Sequence, residues 1–132
     1  MNEVIIRFAN PVVFVKDIET SKKFYEELIG LKIVQDANVF ILFQDHFSIH
    51  QAREVVSTIF GADKEGTLQF QGRNNLLLYF ESDDLEGMFS KLKDHVELIH
   101  PIQEQAWGQR VFRFYDPDGH LVEIGEPQVY QF

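Results

Sequence analysis

The residues best suited to chemistry stand near the C-terminal end. From Trp107 to Glu126 the chain reads Trp-Gly-Gln-Arg-Val-Phe-Arg-Phe-Tyr-Asp-Pro-Asp-Gly-His-Leu-Val-Glu-Ile-Gly-Glu. Two alternating apolar runs flank Asp116-Pro117-Asp118-Gly119, a turn sequence in which Asp and Pro start the reversal and Gly accepts the positive φ that closes it. The stretch therefore reads as a β-hairpin. Period-two alternation puts Phe112, Phe114, Val122 and Ile124 on one face and Val111, Arg113, Tyr115, Leu121 and Glu123 on the other. An Arg and a Glu among apolar neighbours are costly in a plain core, which points to a ligand cavity. There Arg113 would serve as the cation for an anionic group such as a carboxylate or phosphonate; the alternative is a surface arginine on a strand rim. Tyr79 and Tyr115 are candidate hydrogen-bond donors to a ligand. Trp107, the only tryptophan, fits a pocket lid, an interface anchor or the core equally well. Arg110 falls on the opposite face, toward solvent or a subunit contact.

Other combinations carry less. His46 and His50 are four apart, but on a strand that spacing separates them by ~13 Å, so they would not share an ion. His46 reads as a solvated turn residue. An EF-hand loop starting at Asp116 would need a bidentate Glu at its last position, where Pro127 stands. His95, His100 and His120 read as solvated helix-end, pre-proline and turn residues. Glycine-rich phosphate loops, a nucleophile-elbow serine and basic stripes with interleaved aromatics are all missing, which argues against nucleotide chemistry and serine hydrolysis. The chain has no cysteine, so disulfides, thiolate metal sites and cysteine nucleophiles are excluded.

The elements that must position these residues follow from the patterning. The 132 residues suit one domain, and 13 Phe give ample material for a core. A formal charge of −9 disfavours nucleic acid and anionic membranes as partners. No run reaches the ~20 apolar residues of a membrane helix, and Met1–Arg7 lacks the pattern of a secretory signal, so a cytoplasmic protein is expected. Pro11 to Val15 reads as a strand, followed by a helix capped by Asp17 with Ile18, Phe24, Tyr25 and Leu28 near helical spacing and Gly30 as its C-cap. Three short strands follow, at Ile33-Val34, Val39 to Phe43 and Phe47 to His50. Arg53 to Arg73 breaks the pattern and reads as a linker with one helical turn at Ser57 to Phe60. The order then repeats: a strand at Leu76 to Phe80, a helix capped by Asp83 or Asp84 with Leu85, Met88, Phe89 and Leu92 on one face, a short strand at Leu98-Ile99, and the hairpin. Asp17-Ile18-Glu19 and Asp84-Leu85-Glu86 occupy the same place at the two helix starts. The expected fold is α+β: two βαβββ modules, about 7–53 and 73–127, joined by a linker at 54–72. Their sheets would curl around a shared cavity with the helices outside.

Val15-Lys16-Asp17-Ile18-Glu19, Phe24-Tyr25, Gly30-Leu31 and Asp116-Pro117-Asp118-Gly119-His120-Leu121-Val122-Glu123, in this order of elements, resemble the vicinal oxygen chelate superfamily. That group includes glyoxalase I, the bleomycin and fosfomycin resistance proteins and the extradiol dioxygenases. The resemblance covers nearly the whole chain outside the linker. It implies a cavity often completed by a second subunit, hence a homodimer, and up to four metal ligands at Asn10, His50, Asn75 and Glu123. The family uses His, Glu or Gln at these positions, whereas two here are Asn, whose neutral amide oxygen suits calcium or magnesium better than nickel, zinc or iron.

Two functions are therefore open. The first is a binding module similar to the bleomycin-resistance proteins, holding a small, anionic or aromatic molecule in a pocket lined by Val12, Phe14, Leu77, Tyr79, Trp107, Arg113 and Tyr115. Asn10, His50 and Asn75 would be polar contacts in it. The second is a lyase or isomerase similar to glyoxalase I, with one divalent metal ion on His50 and Glu123 that polarises a carbonyl, and Glu123 doubling as base. An extradiol dioxygenase comes third, because only one His stands where two are needed.

Overall fold

A computed structural model describes residues 5–61 and 71–128. The chain divides into two compact units, Met1–Leu68 and Gln69–Phe132. Each carries a four-stranded mixed sheet, and together they make an α+β protein of two like modules.

In the first unit, β1 (Val12–Val15) leads into α1 (Ile18–Lys23). Asp17 caps that helix, its carboxylate accepting from the Glu19 N–H at 3.1 Å and the Thr20 hydroxyl at 3.1 Å. The helix continues as a π-helical turn over Phe24–Ile29, which ends at Gly30 with φ 91°. The N–H groups of Gly30 and Leu31 both close on the Tyr25 carbonyl. Gly30 takes the left-handed conformation that ends many helices at little steric cost. Next come β2 (Ile33–Asp36), β3 (Phe40–Phe43), a 3-10 turn at Gln44–His46 and β4 (Phe47–Gln51). The strand order is β1-β4-β3-β2, with β1 parallel to β4 and the other pairs antiparallel. Tyr25 is fully buried and packs its ring 5.0 Å from Phe47 and 5.9 Å from Phe43. The helix side of this sheet is thus the face of Phe43, Phe47, Ile41, Ile49 and Val13, all buried. Each such side chain stabilises the unit by roughly 1.5–3 kcal/mol.

One element differs from expectation. Ala52–Phe60 forms a nine-residue helix, α2, with Ala52 and Val56 buried. The start of the expected linker is therefore packed structure in the first unit, because Ala52, Val56 and Ile59 repeat at helical spacing; the remainder, 62–70, lies outside the described residues.

The second unit repeats the scheme: β5 (Leu77–Glu81), α3 (Leu85–Leu92), β6 (Glu97–Glu104), β7 (Arg110–Tyr115) and β8 (Leu121–Gly125). Its order is β5-β8-β7-β6, again with the first pair parallel. Asp84 caps α3 by accepting from the Gly87 N–H. Phe89 meets Phe112 edge-on at 5.2 Å, so α3 covers the face of Phe112, Phe114, Val122 and Ile124. β6 is much longer than the expected Leu98-Ile99, and it is irregular, with register shifts either side of His100. The hairpin turn consumes its own acid. The Asp116 carboxylate accepts from the N–H groups of Asp118 and His120 and, at 2.9 Å, from Nδ1 of His120. His120 is buried, not solvated as expected, because this carboxylate supplies a partner inside the turn.

Candidate functional site

On the second sheet, the register sets one row of side chains on the face away from α3. Tyr79 pairs with Glu123, Glu123 with Arg113, and Arg113 with His100. Leu77, Leu121 and Tyr115 form the neighbouring row. The face split expected for the hairpin thus holds, and it places a charged cluster among aliphatic and aromatic groups. Arg113 is its centre. Its Nε–H donates to Glu123 Oε1 at 2.7 Å, one Nη2–H to Gln105 Oε1 at 3.1 Å, and its Nη1 lies 2.9 Å from His100 Nε2. Nδ1 of His100 is 2.7 Å from the Pro101 carbonyl. A carbonyl only accepts, so Nδ1 carries the proton, and Nε2 offers its lone pair to the guanidinium. The Glu123 side chain is 7% exposed and Arg113 25%. Burying a carboxylate this far is costly unless it is paired, and the guanidinium supplies the partner. Among the described residues Oε2 of Glu123 takes no hydrogen bond, yet it is not sealed off, since no fully buried side-chain polar atom lacks a partner.

The sequence missed two of the four members of this cluster. His100 was expected to be solvated, and Gln105 was not singled out. Both depend on how the irregular β6 meets β7, and no local pattern encodes that register.

A second polar thread runs from the end of this face. Trp107 Nε1 donates to Gln109 Oε1 at 2.9 Å, and Gln109 Nε2 donates to Tyr79 Oη at 2.8 Å and to the Glu126 carbonyl at 2.7 Å. The Tyr79 hydroxyl donates to Glu81 Oε2 at 2.5 Å. Gln109 is buried. It lies across Gly125, where any Cβ would fall 2.5 Å from its amide nitrogen. Beside it, Trp107, Gly108, Gln109, Glu126, Pro127 and Gln128 line an open cavity of about 580 Å³. Trp107 is 60% exposed, so a core role is ruled out. Its indole is nonetheless held in place by Gln109.

The first sheet presents a different face away from α1. Val12, Phe14, Ser48, His50, Phe40 and Leu42 share it by register. The fully buried Ser48 donates to Asn10 Oδ1 at 2.6 Å, or to the Pro11 carbonyl at 2.7 Å. Asn10 is thereby tied into the strand start. His50 is half-buried, with Nδ1 3.0 Å from the Gln51 carbonyl and its ring 5.9 Å from that of Phe40. Asn75 is exposed, two residues ahead of β5.

These residues fit a divalent ion poorly by their own chemistry. Asn10 Oδ1 lies against the Ser48 hydroxyl at 2.6 Å, and Glu123 Oε1 already accepts from a guanidinium, whose positive charge would oppose a second cation there. Among the described residues no three His, Asp or Glu side chains are placed to share a metal.

Arg110 faces the other way, as the alternation requires. It meets Glu126 through its backbone N–H and its guanidinium, and meets Glu86 of α3 as well. Its hydrogen bonds hold the carboxyls of both glutamates below the usual carboxylate range. This network joins β7 to α3 and the chain after β8, which is a structural task.

Comparison with known proteins agrees with this arrangement. A family model described as a glyoxalase-like domain matches residues 8–128. A crystal structure of a protein of unknown function from Agrobacterium tumefaciens str. C58 is similar, with 50% identity, a TM-score of 0.88 and coverage of 93% of this chain and 95% of that one. The uncharacterized protein YraH of Bacillus subtilis (strain 168) is 27% identical over 118 residues, 85% of this chain and 91% of its own. A lactoylglutathione lyase from Agrobacterium tumefaciens shares the fold, with 18% identity, a TM-score of 0.69 and coverage of 96% and 97%. The family match spans both modules, and the chain belongs to the glyoxalase-like domain family of the vicinal oxygen chelate superfamily.

Proposed function

We propose that the protein binds a small, partly aromatic molecule, in the manner of the bleomycin-resistance-like members of its superfamily, with the α3-distal face of the second sheet as the primary contact surface. The observation that carries this reading is the nearly buried Glu123 held by Arg113 on a face that also carries Leu77, Tyr79, Tyr115 and Leu121. Ligand sites combine an apolar lining with a few fixed polar groups in this way. The apolar members take the body of the molecule, and the Arg113–Glu123 pair takes its polar group. Arg113 already meets the carboxylate that an ion would need, which favours binding over metal-assisted lyase chemistry. A homodimer belongs to this reading by family resemblance; sedimentation at several concentrations tests it separately.

The test is a small-molecule library screened by thermal shift, which responds to any ligand that prefers the folded state. Hits should raise the Tm of the wild type and lose that effect in Arg113→Met, with the variant still folded. A screen whose hits act equally on Arg113→Met, or one with no hits at all, would overturn the proposal.

A further inference from the structure

We infer that the polar part of this site is built for an uncharged group that carries a hydrogen-bond donor beside an acceptor, the primary carboxamide being the simplest, and not for an anion. The inference rests on the binding function proposed above and names the ligand class.

The charges decide it. Arg113 would attract an anion if it were alone, but Glu123 sits 2.7 Å from its Nε and cancels its charge. His100 is already engaged on both ring nitrogens, Nδ1 against the Pro101 carbonyl and Nε2 against the Arg113 guanidinium. Gln105 is neutral and also accepts. The other titratable groups in register with this face are acidic. Glu81 follows Tyr79 on the same face of β5, and Glu97 stands opposite Tyr115. No surplus positive charge remains among the described residues of the face.

Hydrogen-bonding capacity does remain, and it has both signs. Arg113 spends Nε–H, one Nη1–H and one Nη2–H on Glu123, His100 and Gln105, which leaves the other hydrogen of each terminal nitrogen as a donor. Glu123 Oε2 is an acceptor with no hydrogen bond among the described residues. A carboxamide satisfies both: its carbonyl accepts from the guanidinium, and its NH₂ donates to Oε2. A carboxylate would satisfy the first and set a negative oxygen against Oε2, leaving like charges face to face. Rejection by an unmatched charge is a strong source of specificity.

Benzamide and benzoate are a matched pair of probes with one ring and nearly one shape. Nitrogen-edited NMR of the full chain, following Arg113 Nε–H and the backbone of β7 and β8, reads both titrations. Benzamide should bind at least about tenfold more tightly than benzoate, the preference expected when one partner meets a like charge. Glu123→Gln keeps the side-chain shape and uncovers the arginine charge, so it should reverse the preference. Tighter binding of benzoate to the wild type overturns this inference and leaves the binding reading intact. If neither probe moves these signals the inference falls, and the broader reading falls with it only if the thermal-shift library also has no hits. The wild-type comparison stands even if Glu123→Gln does not fold.

Discussion

Arg113 and Glu123 show how far a single residue's meaning depends on its neighbours. Each alone on a strand is an ordinary surface charge. Opposite each other, with the carboxylate nearly buried, they become a unit whose halves cannot be removed singly without cost. Arg113→Ala leaves Glu123 desolvated and unpaired and should destabilise the chain by about 2–4 kcal/mol. The double variant Arg113→Met, Glu123→Leu should recover most of that loss, since an apolar pair of similar size has no desolvation cost. Urea unfolding of the wild type, Arg113→Met, Glu123→Leu and the double variant gives the coupling energy; strictly additive effects would show that the pair does not act as a unit.

Turns and close approaches dominate at the scale of elements. Gly30 ends the first helical segment at φ 91°, with nothing within 4 Å of the place a Cβ would occupy. Gly72 is the opposite case. Its N–H donates to the Asp118 carbonyl, and a Cβ there would fall 2.0 Å from the Gly119 carbonyl oxygen. Gly30→Ala should therefore cost only the left-handed penalty, roughly 1–2 kcal/mol. Gly72→Ala must push two backbones apart at the hairpin turn and should cost more. Thermal melts of the two variants check the order; an equal or smaller loss for Gly72→Ala would mean that the segment before β5 does not press on the turn. Legibility varied in the same way. Both capping aspartates, Gly30 and the Asp-Pro-Asp-Gly turn were readable, because each acts through a few neighbours in sequence. Of helix α2 only the turn at Ser57 to Phe60 is legible, because the helix is short and runs directly out of β4 at Ala52. The length and bulges of β6 were invisible because they come from pairing with β7.

Charge acts over the whole chain. The net −9 is set against a few paired acids. Lys22 holds the Asp36 carboxyl below its usual range in the first unit, and Arg110 does the same for Glu126 and Glu86 in the second. A carboxyl with a lowered folded-state pKa contributes stability above its unfolded pKa and loses it as the pH falls through the folded one. Stability should therefore decline below about pH 4.5. Arg110→Met should flatten that decline, and added salt should weaken it, since these groups are exposed and screened. Chemical unfolding between neutral and acid pH measures the slope. The same slope in Arg110→Met as in the wild type would remove Arg110 from the account.

By itself the sequence determined the order of the strands and of the two capped helices, the two-module repeat, the hairpin and the side of each hairpin residue. All follow from spacing along the chain, where a period of two or a capping side chain acts within a few residues. It also marked Arg113 and Glu123 as charges on an apolar face. Only the tertiary structure decided what those charges do. It set His100 and Gln105 beside Arg113 across an irregular strand pair, gave Glu123 a guanidinium for a partner, and bound Trp107 to Tyr79 through Gln109. Those contacts depend on register between distant strands, and register is fixed by packing of the sheet as a whole.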